Sequence, residues 1–271
     1  MEKNNKITIG FIGCGNMAVA MIGGIVRNNR KDYDIIASNR SLEKLLRAKE
    51  EYGIHITQDN KEVVEKSDVV ILAVKPKLYK EVAEEINNYL KPETIVVSIT
   101  IGYTLSDLKK FFKYSSTLKI IRAMPNTPCM VGEGMTALCK SWEVKDEELD
   151  IVIDIFNNFS KTALIDEDLF ESFVAISGSS PAYIYMFIEA LADGAVLHGM
   201  PRELAYQFAS QAVLGSAKMV LETNTHPAIL KDNVCSPAGS TIEAVKVLEK
   251  NAFRSTIIQA ISACVEKAKK I

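Results

Sequence analysis

The apolar run Ile7-Thr8-Ile9-Gly10-Phe11-Ile12 passes directly into Gly13-Cys14-Gly15-Asn16-Met17-Ala18 and then into a helical pattern. A strand that turns on glycines into a helix commits the chain early, because a parallel sheet must follow to cover that helix and be covered by it. In this G-x-G-x-x-A order Gly13 allows the tight turn, Gly15 allows a ligand to approach the backbone, and Ala18 lets the helix lie close on the strand. The helix then points its first N–H groups and its positive dipole end at whatever fills the turn. An anion fits there, and a dinucleotide pyrophosphate fits best. The plain alternative is a tight βα turn with no ligand.

The second strand, Asp34-Ile35-Ile36-Ala37-Ser38, bears on which dinucleotide is bound. An NAD site places an acid at its end, about 20 residues past the glycines, to bond the ribose hydroxyls. Here Ser38-Asn39-Arg40-Ser41 offers hydroxyls, an amide and a guanidinium instead. That set suits a 2′-phosphate, which a carboxylate would repel, so NADP(H) is expected with NADH as the lesser partner. Alternatively, Ser41 caps a helix from Leu42 to Glu51 and Arg40 is a solvated charge.

With 271 residues, 48% of them hydrophobic, the chain can build two cores. A net charge of −2 with dispersed lysines argues against nucleic acid as a partner. The charged segment Met1 to Lys6 precedes a glycine turn, not a signal-peptide core, and no run reaches the roughly 18 apolar residues of a membrane span. Five cysteines without a C-x-x-C pair suit free thiols in a reducing cytoplasm, and no H-E-x-x-H or Cys/His cluster suggests a metal. Cys14 lies in the glycine turn, as a small residue tolerated there or as an oxidation-sensitive thiol.

Strand patterns fall at 6–12, 34–38, 54–57, 68–73, 94–99, 118–123, 135–139 and 162–165, alternating with helical ones. This is the rhythm of a doubly wound α/β sheet, expected over 1–166 as a Rossmann dinucleotide-binding domain. Ligands in such sheets lie outside the carboxyl ends of the strands. Ala73 to Pro76, Ser98 to Ile101 and Ala123 to Thr127 are therefore expected to line one crevice. Arg122 to Pro128, with two prolines, reads as a rigid turn.

From 167 to 271 the pattern is all helical. Pro181 to His198 is apolar nearly all round, broken only by Glu189 and Asp193, and a second long helix runs from Arg202 to Leu221. A domain of about 100 residues cannot hide both faces, so a dimer is expected. Two glycine-containing segments read as helix starts: Ser177-Gly178-Ser179-Ser180-Pro181, with hydroxyl caps, and Ser236-Pro237-Ala238-Gly239-Ser240-Thr241. The second can receive a carboxylate on converging N–H groups, with the Thr241 hydroxyl beside it; both can equally be plain caps.

With these pieces in place, the chain resembles the pyrroline-5-carboxylate reductase family along its whole length. The resemblance rests on Phe11 to Met17, Ala73-Val74-Lys75-Pro76, Met124-Pro125-Asn126-Thr127-Pro128, Ser177 to Tyr183 and, above all, Asp232 to Thr241. It implies a Rossmann domain followed by an all-helical dimerisation domain, active sites at the dimer interface, and in some members rings of dimers. It also implies reduction of L-1-pyrroline-5-carboxylate to L-proline by NADPH or NADH, the last step of proline biosynthesis. By position it implies cofactor contacts from Ile12, Gly13, Cys14, Gly15, Asn16 and Met17 to the pyrophosphate, and from Ser38, Asn39, Arg40 and Asn60 to the adenosine side. Ala73, Val74, Lys75, Pro76, Ile99, Thr100 and Ile101 fall on the nicotinamide side.

The same resemblance places the substrate at Asn233, Val234, Ala238, Gly239, Ser240 and Thr241, with the Thr241 hydroxyl toward the ring nitrogen as the catalytic group. Ala238 and Ser180 stand where the family frequently has glycine, and a positive φ suits Ala238 poorly. The related hydroxyacid dehydrogenases use a lysine base on a second-domain helix, and here no lysine lies between Lys161 and Lys218. A cyclic imine that arrives protonated needs no such base. His55, His198 and His226 read as surface or packing residues. Another cyclic imine carboxylate remains the alternative substrate, and a non-catalytic scaffold with the same fold would have a degraded substrate block.

Overall fold

The computed structural model describes residues 6–29, 32–113 and 116–270, so of the charged N-terminal segment only Lys6 lies within the described residues. Eight strands form one sheet: β1 (Ile7–Ile12), β2 (Tyr33–Ser38), β3 (His55–Thr57), β4 (Val69–Leu72), β5 (Ile95–Ser98), β6 (Lys119–Met124), β7 (Gly134–Lys140) and β8 (Ser160–Leu164). Their order is β3-β2-β1-β4-β5-β6-β7-β8, parallel throughout except where β7 runs antiparallel to β6. Each expected strand is present within two residues of its expected ends. The order reverses between β1 and β4, where doubly wound sheets bind ligands.

Alternation along the strands assigns the two faces. Ile9, Phe11, Ile71, Val97 and Ile121 join one core with Met21, Ile22 and Ile25 of α1 (Asn16–Asn29), Leu45 and Ala48 of α2 (Leu42–Tyr52), and Val152, Ile155 and Phe156 of α6 (Asp146–Phe156). Their neighbours Ile12, Val70, Leu72, Val96 and Ile120 join a second core. There they meet Val63 and Val64 of α3 (Asn60–Lys66), Val82, Ala83 and Ile86 of α4 (Tyr79–Ile86), and Leu108 of α5 (Leu105–Lys110). Burial on both faces explains why these strands are continuous apolar runs. Each such side chain contributes about 1.5–3 kcal/mol.

The chain divides into two compact units. One runs up to Gly178 and takes in the stretch from Val265; the other is Ser179–Cys264. In the first, a short helix α7 (Phe170–Phe173) leads into a π-helical segment, Val174–Ser179. Phe170, Val174 and Ala268 form a third small cluster with Met124, Ala137 and Cys139. The second unit is built from α8 (Ser180–Leu197), α9 (Arg202–Thr223), α10 (Pro227–Val234), α11 (Ser240–Lys250) and most of α12 (Phe253–Ala268). Among its described side chains Phe187 meets Phe253 at a ring separation of 6.3 Å.

Candidate active site

At the glycine turn, Gly13 adopts a φ of +100°, and its N–H donates to the Ser38 carbonyl at 2.9 Å. A Cβ here would lie 2.7 Å from the Ala73 carbonyl oxygen, so both conformation and space demand glycine. Around Gly15, by contrast, nothing lies within 4 Å of a Cβ position. The turn thus presents open backbone at the N-terminus of α1, whose first turn carries no acid and whose first N–H groups lack intrahelical acceptors. These residues fit a pyrophosphate. Ala18 is buried against the strand. Cys14 is buried as well, and burial pushes its thiol above the ordinary range, which keeps it protonated and unreactive.

Backbone bonds bring the other strand ends to the same side. Ala73 N–H donates to Ile12 at 2.8 Å and Ile99 N–H to Leu72 at 3.4 Å. The ends of β1, β2, β4 and β5 therefore hold Ile12, Ser38, Ala73 and Ile99 side by side. Val74 forms a bend, and Lys75 follows in extended backbone as the N-cap, without a side-chain bond, of a 3-10 turn that starts at Pro76. Thr100 turns its hydroxyl to the Ile101 carbonyl at 3.2 Å. Beneath them Tyr79, which the sequence did not single out, donates to the Leu72 carbonyl at 2.6 Å and accepts from Ser98 at 3.2 Å. Burial raises its phenol far above the usual range, so it stays a neutral donor tying β4 to β5.

On the expected adenosine side, the buried Ser38 hydroxyl donates to the Asn60 amide oxygen at 2.6 Å, and the Asn60 amide nitrogen donates to Glu85 at 2.8 Å. Asn39 donates to the Ser41 carbonyl at 3.4 Å. Arg40 pairs with Glu81 at 2.6 Å. Ser41 occupies the N-cap of α2 but makes no side-chain cap bond, so capping does not account for it. The two glutamates come from α4 and carried no signal in the local sequence around β2.

The turn after β6 is organised by Asn126. Its amide oxygen accepts from Met135 N–H at 3.0 Å, and its amide nitrogen donates to both the carbonyl and the hydroxyl of Ser177 at 3.1 Å. This corrects the expectation of a hydroxyl-capped helix start at Ser177. Residues 174–179 are π-helical, and Ser179 has helical backbone with no side-chain cap. The reason is chemical: in an α-helix Ser177 C=O would accept from residue 181, a proline without an N–H, and the Asn126 amide replaces that donor.

In the helical unit, Asn233 and Val234 end α10. Gly239 N–H donates to Ser236 C=O at 3.0 Å across a turn with Pro237 second and Ala238 third, the latter at a φ of +56°. This is the arrangement of a type II turn, which ordinarily has glycine where Ala238 stands. At Gly239 a Cβ would lie 2.4 Å from the Ser236 hydroxyl oxygen. Gly239 is the N-cap of α11 without a side-chain cap, so the first N–H groups, next to Ser240 and Thr241, are left for another acceptor.

A doubly wound sheet with an open glycine turn at a helix N-terminus, followed in the chain by a helical domain, defines a dinucleotide-dependent oxidoreductase. Residues 8–102 match the family described as NADP oxidoreductase, coenzyme F420-dependent, and residues 167–271 match pyrroline-5-carboxylate reductase dimerisation. The chain is 46% identical to pyrroline-5-carboxylate reductase of Escherichia coli K12, over 100% of its own length and 99% of that protein's. It superposes on a pyrroline-5-carboxylate reductase from Coxiella burnetii with a TM-score of 0.91 at 38% identity, over 98% of each chain. With the Plasmodium falciparum pyrroline carboxylate reductase, solved with NADP bound, the TM-score is 0.84 at 33% identity over 97% of each chain. The chain belongs to the pyrroline-5-carboxylate reductase family.

Proposed function

We propose that this enzyme reduces L-1-pyrroline-5-carboxylate to L-proline with NADPH or NADH, the last step of proline biosynthesis. The observation that carries the reading is the Ser236–Gly239 turn, which opens the N-terminus of α11 beside the Thr241 hydroxyl. A five-membered imine carboxylate asks for that pairing: N–H groups for the carboxylate and one hydroxyl near the ring nitrogen. In this reading Ala238, Gly239 and Ser240 bind the carboxylate, Asn233 and Val234 flank it, and Thr241 donates to the nitrogen as the imine carbon is reduced.

The bound cofactor supplies a hydride. The chain orients it: the backbone from Ile12 to Met17 holds the pyrophosphate, Ser38, Asn39, Arg40 and Asn60 the adenosine side, and Ala73 to Pro76 with Ile99 to Ile101 the nicotinamide side. Residues 1–166 then serve as the cofactor domain and 167–271 as the substrate and dimerisation domain. Free described cysteines support a cytoplasmic setting, and the exposed apolar faces of α8 and α9 support a homodimer as the basic unit, from which rings can be built.

The test is oxidation of NADPH and NADH, followed by nicotinamide absorbance, with pyrroline-5-carboxylate run beside its six-membered homologue piperideine-6-carboxylate. Turnover of the five-membered ring alone is expected. Preference for the larger ring would reassign the substrate, and tight cofactor binding without turnover of either would remove the catalytic reading.

A further inference from the structure

The end of β2, Ser38-Asn39-Arg40-Ser41, carries no acid of its own for the adenosine side. The structure brings one there from elsewhere in the chain. Glu81 and Glu85 lie one turn apart on α4, and one carboxylate takes Arg40 at 2.6 Å while the other takes Asn60 at 2.8 Å. Asn60 is engaged on its other side by the buried Ser38 hydroxyl, so Glu85 belongs to a chain of bonds anchored at a buried group. Arg40 differs. Its side chain is 72% exposed and Glu81 is 64% exposed, so the guanidinium is free to change partners.

We propose that Glu81 is a specificity-determining residue that lowers the NADPH to NADH preference by competing with the 2′-phosphate for Arg40. The proposal rests on the reading of Arg40 as the adenosine-end ligand. A guanidinium facing solvent would give the phosphate its full charge-assisted bond, whereas here the phosphate must first displace a carboxylate and then lie near it. NADH, whose ribose hydroxyl carries no charge, leaves the Arg40 to Glu81 pair intact. The acid that an NAD site ordinarily places at the end of the second strand is thus supplied from α4, and it lowers discrimination in favour of NADPH without abolishing it. An exposed pair is weak, so the effect is small: about two- to five-fold.

Calorimetric binding of adenosine 2′,5′-bisphosphate and of AMP reads this without turnover. Arg40→Ala should weaken the bisphosphate and spare AMP; an equal loss for both would sink the reading of Arg40 and the proposal with it. Given a selective loss, Glu81→Gln should tighten the bisphosphate by about two- to five-fold with AMP unchanged. In the Arg40→Ala background the same substitution should do nothing. No gain from Glu81→Gln, or an equal gain with Arg40 absent, overturns the proposal, since the second result marks a general field of negative charge. Glu85→Gln, which does not touch Arg40, should leave the ratio of the two affinities unmoved, and a shift as large as that of Glu81→Gln would count against the specific pair.

Discussion

The sheet unit and the helical unit solve the same problem of burying apolar residues in opposite ways. In the sheet unit, alternate residues of the central strands enter cores on both faces, and among the described residues every positive φ belongs to glycine: Gly13, Gly53, Gly102 and Gly132. The helical unit buries only Ala192 of α8 and only Ala205 and Ala209 of α9, while Tyr185, Met186, Leu197, Phe208, Leu214 and Leu221 stand exposed in the single chain. It also holds Asn224, Ala238 and Ala252 at positive φ. One unit closes its own interior; the other leaves an apolar surface open in the single chain, which agrees with the match of 167–271 to a dimerisation family.

The strongest way to break this contrast is to charge the two surfaces in turn. Met186→Glu, on a side chain 68% exposed in α8, should dissociate the protein in sedimentation velocity and lower imine reduction by at least roughly 100-fold. Leu46→Glu, on α2 of the sheet unit, should change neither, although Leu46 is also exposed. If the α8 variant sediments as wild type, that face is not where copies meet.

Within the sheet unit, Asn126 is the polar counterpart of the apolar cores. Asn126→Ala leaves the Met135 N–H and the Ser177 carbonyl without the amide that serves them, in a region where both residues on the side-chain bond are about 8% exposed. At about 1–3 kcal/mol for each of the two orphaned groups, urea unfolding should show a loss of about 2–6 kcal/mol. A loss under about 0.5 kcal/mol would mean that water replaces the amide and that the π-helical segment does not depend on it.

This dependence marks the limit of what local sequence could reveal. Val69 to Leu72 is legible as a central strand because both faces are buried, so every residue is apolar. The glycine turn is legible because φ and close approach restrict the residue type at Gly13. Ser177 to Pro181 misleads because hydroxyls before a proline look the same whether they cap a helix or lie in a π-helical segment; the deciding donor, Asn126, is 51 residues away. Glu81 and Glu85 were hidden for the same reason. The end of β2 holds no acid in its own sequence, and α4 brings carboxylates there through the tertiary fold.

Thr241 tests the helical unit's chemistry rather than its assembly. Thr241→Ala should lower kcat/KM by one to two powers of ten, about 1.4–2.7 kcal/mol, as expected for one hydrogen bond in a dry site, with the dimer intact. Unchanged kcat/KM would remove Thr241 from the reaction and leave the ring nitrogen to water.

The smallest effect sharpens the comparison most finely. Ala238 carries a φ of +56° that the sheet unit allows only to glycine. For an L-residue the left-handed region costs roughly 1–2 kcal/mol, and Ala238→Gly would remove that cost. The new glycine widens the unfolded ensemble, which takes back about 0.5–1 kcal/mol. Ala238 is exposed in the single chain, so its methyl gives up little contact, and the net result should be a gain of under about 1.5 kcal/mol in thermal unfolding. A loss instead would mean that the methyl is packed in the assembled protein. The strained turn would then belong to the surface that a second copy covers, and the alanine would be held there by packing against that copy.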